Sequence, residues 1–288
     1  MSSANPTAAA APTRPDRVGM TIHTGMLESL GVNMYTSIGK SLVEFIANSF
    51  DADAKLVEIG IPFADIETAR KALKAGAKKE VAEGKRDGFK NIYETLPNTL
   101  EIVIKDDGHG MSITDLESKY LAINRNRRDT EGNKSESGLR AVMGRKGLGK
   151  LAGFGTAGEV IVWTKRKNET YATKIVMNYD EIHKAQTMGN VEFNTVYEDG
   201  LDANISGTTI TLRNLRCDSL KAGEDTIEST IARNFFLTGD DFKIHLNTEE
   251  VKAPPIEYEF AFPPAKDCGA DGLAEITVKV DENFEYPV

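Results

Sequence analysis

Apolar residues recur at helical spacing between Met34 and Ala54, with Val43, Ile46 and Phe50 clustered on one face. The next stretch, KLVEIGI over Lys55 to Ile61, is rich in β-branched residues and predicts a strand. Ala64 to Phe89 is dominated by Ala, Lys and Glu and predicts one or two exposed helices with a solvated charged face. Leu100, Ile102 and Ile104 alternate with polar neighbours, a strand pattern that ends in the turn DDGHGM. A helix is expected over Ile113 to Ile123. Asn124 to Ser137, NRNRRDTEGNKSES, has no apolar period and reads as a mobile loop. Gly144 to Gly155, GRKGLGKLAGFG, reads as a glycine-rich turn feeding a short helix. Strands then dominate: EVIVWTKRK, YATKIVMNY, GTTITLRNL and FKIHLNT, interrupted by a helix near Thr226 to Phe236. The expected layout is α+β, a two-layer sandwich of a mixed sheet with helices on one face.

Composition narrows the class. Of 288 residues, 40% are hydrophobic and 27% charged, ordinary proportions for a globular chain. Lys plus Arg number 35 and Asp plus Glu 44, a net charge of -9 that argues against a chain-wide electrostatic grip on nucleic acid. Cys217 and Cys268 are too few for a disulfide framework and lie in no metal-ligand spacing, so a cytoplasmic location is expected. No apolar run approaches the ~20 residues that span a bilayer, and no membrane association is expected. The opening MSSANPTAAAAPTRPD reads as a disordered tail over residues 1–17. Pro254, Pro255, Pro263 and Pro264 mark a boundary near residue 250.

Four segments carry candidate chemistry. In SLVEFIANSFDADAK, Glu44, Asn48 and Asp51 fall at i, i+4 and i+7 and share one helical stripe. A carboxylate can take a proton from water, and a neutral amide oxygen can ligate a hard cation such as Mg²⁺. In KDDGHGM, Asp106, Gly108 and Gly110 form D-x-G-x-G at a strand end. Asp106 can accept a hydrogen bond from an exocyclic amine such as that of adenine, and the glycines permit close backbone approach. In GRKGLGKLAGFG, Gly144, Gly147 and Gly149 precede a helix whose free N–H groups attract phosphate, with Lys146 and Lys150 as added point charge. The spacing is neither a Walker A loop nor a dinucleotide fingerprint. In SGTTITL, Gly207 and Thr208 open a strand. Each segment alone has an ordinary structural explanation: a solvated helix face, an Asp-Gly turn, a glycine-rich loop, a β-bend.

Taken together and in this order, the segments resemble the GHKL superfamily of ATP-binding domains, which includes gyrase, the ninety-kilodalton heat-shock chaperone, histidine kinases and MutL. EFIANSFDA resembles the N-box, KDDGHGM the adenine box, GRKGLGKLAGFG the box at the end of the lid, and GTTITL the last nucleotide box. The resemblance covers roughly Ile38 to Leu212. It implies a Bergerat-type fold that binds ATP with Mg²⁺. Glu44 would be the general base and Asn48 the magnesium ligand. Asp51 would line the nucleotide side of the same helix. Asp106 would accept from adenine with Thr208 assisting, Gly108 and Gly110 would leave room for the base, and Met111 would pack nearby. Lys146, Gly147, Leu148, Gly149 and Lys150 would meet the phosphates.

On this resemblance, residues 18–250 form the ATP-binding domain, with an insertion at 64–98 and an ATP lid at 112–145. Residues 251–288 are a C-terminal extension or the start of a transducer region, which in relatives supplies a lysine to the terminal phosphate. The Glu-led N-box is similar to the water-using branches, MORC-like, MutL-like and chaperone, whereas histidine kinases carry an Asn-led box. The expected activity is therefore ATP hydrolysis that drives lid closure and ATP-dependent homodimerisation. A nucleotide-sensing module with little turnover is the alternative, and a histidine-type kinase is less favoured. A DNA or protein client would be engaged through domains beyond this chain.

Overall fold

The structure is a computed structural model that describes residues 14–21, 37–88, 95–122, 132–144, 149–185, 190–236, 241–252, 277–281 and 284–287. It divides into two units, Met1–Ala253 and Pro254–Val288. In the second unit, β10 (Thr277–Asp281) and β11 (Phe284–Pro287) form an antiparallel hairpin.

The first unit is built on one mixed sheet. Its described strands are β1 (Arg17–Thr21), β2 (Leu56–Gly60), β3 (Ile102–Asp106), β4 (Ala157–Lys165), β5 (Tyr171–Asn178), β6 (Asn190–Asp199), β7 (Gly207–Leu215), β8 (Lys243–Leu246) and β9 (Glu249–Glu250). Their order is β1-β6-β5-β4-β7-β3-β2-β8-β9, with β2 and β8 the parallel pair. The registers set the faces. Met177, Val160, Leu212 and Ile102 form one cross-strand row, and Ile175, Val162, Ile210, Ile104 and Ile59 the next. All of these are buried. The alternate positions carry Lys174, Trp163, Thr209, Lys105 and Glu58 and are more open, with Lys105 paired to Glu58 at 3.5 Å. This inside–outside alternation is the period-2 signal of the sequence made physical.

Four α-helices of seven residues or more accompany the sheet among the described residues: α1 (Ile38–Asp51), α2 (Phe63–Ala82), α3 (Tyr179–Ala185) and α4 (Glu224–Phe235). Leu42, Phe45 and Ile46 of α1 join Ile227 and Ile231 of α4 in the core. Between α1 and the sheet runs a wholly buried 3-10 turn, Gly149–Gly155. A β-carbon at Gly153 would meet Val160, Leu212 and Phe45 together, so only glycine lets this turn pass. By contrast α2 buries only Ile66 and Ala77. It is a single 20-residue helix, where one or two exposed helices are expected.

Several expectations need correction. The tail does not run free to residue 17. Arg14 stacks on Tyr171, 3.8 Å from the ring centroid, and pairs with Asp199 at 2.6 Å. β1 then extends the sheet beside β6. The five-residue β1 does not stand out in sequence, because an edge strand exposes half its residues and its pattern is weak. The helix expected over 113–123 is one α-turn, Ile113–Asp115, that passes into a π-turn, Leu116–Tyr120. A capping box between Ser112 and Asp115 fixes its start. The loop expected to be mobile up to Ser137 is fastened at Ser137 to Asp53, just past α1; its residues 124–131 lie outside the described residues.

Candidate functional site

A cavity of about 960 Å³ opens between α1, the end of β3, the segment 132–144 and the turn that starts at Gly149. Glu44, Asn48 and Asp51 all line it, so the helical stripe faces one space. Asp106, Gly110, Met111, Thr208, Gly149 and Lys150 line it as well. Lys146, Gly147 and Leu148 fall outside the described residues.

The aspartate at the strand end is held rigidly. Its Oδ1 accepts from the backbone N–H of Gly108 at 3.0 Å and of Thr208 at 3.1 Å. Its Oδ2 accepts from Ser49 Oγ at 3.0 Å, which leaves capacity on that oxygen for a donor in the cavity. Burial pushes the Asp106 carboxyl above the ordinary aspartate range, against the pull of these three hydrogen bonds, and the charge of Asp107 adds to the rise. Thr208 joins a small hydroxyl network. Its Oγ lies 3.1 Å from Thr164 Oγ, which also accepts from the Met111 N–H at 2.9 Å.

The loop glycines are packed closely against neighbouring backbone. A β-carbon at Gly108 would stand 2.8 Å from the Ala52 carbonyl oxygen, and one at Gly110 would stand 1.8 Å from that of Lys165. Gly110 also has φ +64°, in the left-handed region. Gly108 does not border the cavity. Both glycines make room for neighbouring backbone, and Gly110 also lines the cavity. The same loop is stitched to the α1–β2 corner, because Asp107 accepts from the N–H groups of Lys55 and Leu56 at 2.7 and 2.9 Å. Hence the aspartate and the α1 stripe keep a fixed spacing.

At the other end of the cavity, a β-carbon on Gly149 would lie 2.7 Å from Glu44 Oε2 and 3.5 Å from Asn48 Nδ2. The glycine-rich turn thus presents bare backbone to the carboxylate and the amide. Lys150 is 5% exposed, and its ammonium donates to the carbonyls of Lys119 at 3.3 Å and Ala122 at 2.5 Å. Asp51 is 2% exposed and accepts from the N–H groups of Met143 and Gly144 at 2.7 and 3.0 Å. Two charged residues expected at the nucleotide thus spend much of their bonding capacity on the backbone of residues 119–122 and 143–144.

Residues 35–208 match the profile of the histidine kinase-, DNA gyrase B- and HSP90-like ATPases, well over half of the chain. The chain belongs to this family. As a GHKL domain it carries the fold of an ATP-binding module, with its mixed sheet and helices. A Herpetosiphon aurantiacus protein, HgiDII, provisionally named a type II restriction enzyme, is 27% identical over 236 residues. That alignment takes in 81% of this chain and 32% of the relative, so the GHKL chain spans about a third of the relative's length. The ATPase region of Saccharomyces cerevisiae topoisomerase II superposes with a TM-score of 0.43 at 14% identity, covering 75% of this chain and 49% of that one.

Sequence reasoning missed several residues at the GHKL site: Ser49, Thr164, His109, Arg166 and Glu136. Ser49 lies inside the EFIANSFDA motif but off the Glu44 stripe. His109 lies inside KDDGHGM, Arg166 and Glu136 come from distant segments that chain folding brings to the cavity, and Thr164 sits behind Thr208.

Proposed function

We propose that this domain binds ATP with Mg²⁺ and hydrolyses it, with Glu44 as the base that takes a proton from the attacking water. The reading is carried by one observation: Glu44 and Asn48 from α1 and Asp106 from the end of β3 border a single cavity. Its volume is in the range of small-molecule and cofactor sites. Asp106, fixed through Gly108, Thr208 and Ser49, offers its Oδ2 to the exocyclic amine of adenine.

The residues fit a magnesium ion. Asn48 is an exposed amide on the cavity wall, next to the bare backbone of Gly149. Mg²⁺ keeps most of its waters and takes one or two protein ligands beside substrate phosphates, so a single amide oxygen suffices. When bound, the ion would neutralise charge on the transferring phosphoryl group. Phosphoryl transfer asks little covalent chemistry of the protein, so the work left to this chain is positioning and proton removal. Glu44 is aimed by α1, whose inner face is locked in the core through Leu42, Phe45 and Ile46.

ATP binding and hydrolysis would in turn drive pairing of two domains and lid closure in which the part of the lid fastened at the end of α1 takes no part, since a bound ligand shifts a two-state equilibrium by its differential affinity. The name of the Herpetosiphon relative extends the proposal to DNA as the downstream client, reached through parts outside the shared third. Calorimetric titration with a non-hydrolysable ATP analogue and Mg²⁺, followed by phosphate-release measurements on the wild type and Glu44→Ala, tests the reading. Binding without release in both proteins would convert it to the nucleotide-sensing alternative.

A further inference from the structure

The cavity has a charged rim that the proposed chemistry does not use. Arg166 follows β4, and Glu136 belongs to the segment 132–144; both line the cavity. Arg166 Nη2 pairs with Glu136 Oε1 at 2.5 Å, and the two side chains are 23% and 52% exposed, which puts the pair at the edge. His109 joins them, with Nδ1 2.8 Å from Arg166 Nη1 and Nε2 3.8 Å from Glu136 Oε2. The adenine-box loop and β4 are thereby tied across the rim to the second half of the lid.

That half of the lid is fastened at three further places, each with both partners on this chain. Asp53 accepts from the Ser137 N–H and Oγ, both at 2.8 Å. Arg140 donates to the carbonyls of Phe50 at 3.3 Å, Ala54 at 2.6 Å and Asp241 at 2.9 Å, and its guanidinium lies over the rings of Phe50 and Phe242. The end of a helix leaves carbonyls free and favours a cation there. Asp51 holds the N–H groups of Met143 and Gly144. An exposed ion pair alone contributes ~1 kcal/mol or less, but a buried carboxylate accepting two N–H groups does not release them cheaply. The α1 end of the fastening is therefore the strong one, and the rim pair the weak one.

We propose that residues 132–144 are a resident wall of the cavity, held by α1 whether or not nucleotide is bound, and that the Arg166–Glu136 pair is a gate across the rim that sets how fast nucleotide enters and leaves. The gate rests on the nucleotide reading above; the wall does not. A gate acts on entry and exit alike, so opening it speeds both and leaves the affinity in place.

Two measurements on the full chain test this. Hydrogen exchange of the protein without nucleotide should show slow amides at Ser137, Met143 and Gly144. Fast exchange there that slows only with an ATP analogue and Mg²⁺ would overturn the wall. Stopped-flow binding of a ribose-labelled fluorescent ATP should show Glu136→Gln and Arg166→Gln each raising both rate constants about threefold, as loss of a part-exposed pair implies. The dissociation constant should stay within about twofold, because the open fraction cancels from it. The charge-swapped double variant, Glu136→Arg with Arg166→Glu, should restore wild-type rates. A change in dissociation rate alone, or no change in either rate, would overturn the gate. Slow amides with no nucleotide binding at any concentration would overturn the nucleotide reading and the gate with it, and leave the wall standing.

Discussion

Glu44 Oε2 occupies the space that a side chain at Gly149 would need: a β-carbon there would stand 2.7 Å from it. The obstructing atom is the far end of a flexible side chain, so Gly149→Ala should fold by turning the carboxylate aside. The expected result is hydrolysis slowed about 10–100-fold, because misplacing a reacting group by about 1 Å costs that order of rate. Thermal melting should show little loss of stability. Unchanged phosphate release in Gly149→Ala would detach Glu44's present position from catalysis.

Glu44→Ala removes the base and keeps the nucleotide contacts. Loss of a correctly placed general base costs ~10²–10⁴-fold in rate. Calorimetry should find ATP affinity near that of the wild type while phosphate release falls by this factor. Equal turnover would take Glu44 out of the mechanism.

Asp106→Asn changes the sign of one hydrogen-bonding position. The amide oxygen can still accept from Gly108 and Thr208, which leaves an NH₂ group, a donor, facing the cavity where adenine also presents a donor. A hydrogen bond to a charged acceptor contributes ~1.5–3 kcal/mol, so binding should weaken at least about tenfold. Calorimetry reads this directly, and unchanged affinity would remove Asp106 from base recognition.

Burial raises the Asp106 carboxyl above its unfolded value, which gives two opposite pH trends. The fold favours the protonated form. The stability this group adds is therefore fully present below the unfolded aspartate pKa, near ~4, and is lost as pH rises through the folded value. Nucleotide affinity runs the other way, since the acceptor must be ionised, and should fall as pH drops through the raised folded value. Ser49→Ala withdraws a donor from the ionised form and should move the affinity step to higher pH. A pH-independent affinity in the wild type would contradict the assignment.

Gly110→Ala tests the adenine-box loop as a packing device. The added carbon would sit 1.8 Å from the Lys165 carbonyl oxygen, at a φ of +64° that L residues rarely adopt. Backbone strain and overpacking together should cost about 2–4 kcal/mol, measurable by urea unfolding. A loss under about 1 kcal/mol would mean that the loop yields there without strain.

Local periodicity was enough to determine the α1 stripe, the alternation of β3 and β7, and the glycine-rich turn after the lid. The reason is geometric. A helix puts Glu44, Asn48 and Asp51 on one side whatever it packs against, and a strand turns Ile102 and Ile104 to one face in any sheet. The motif order then pointed to a family, and the family to Asp106 and Glu44. What no local pattern could carry was the use to which each residue is put. Asp51 lies on the stripe, but Met143 and Gly144, about ninety residues on, arrive to take its oxygens. Gly108 and Gly110 read as room for a ligand, but the backbone at Ala52 and Lys165 fills that room. Ser137, at the end of a polar run with no apolar period, is held by Asp53 just past α1, and Arg140 reaches the carbonyls of Phe50 and Ala54. Hydrogen bonds and close contacts between distant segments exist only once the chain has folded. The sequence by itself thus determined which groups are available and on which face each stands; the tertiary structure decided which of them meet.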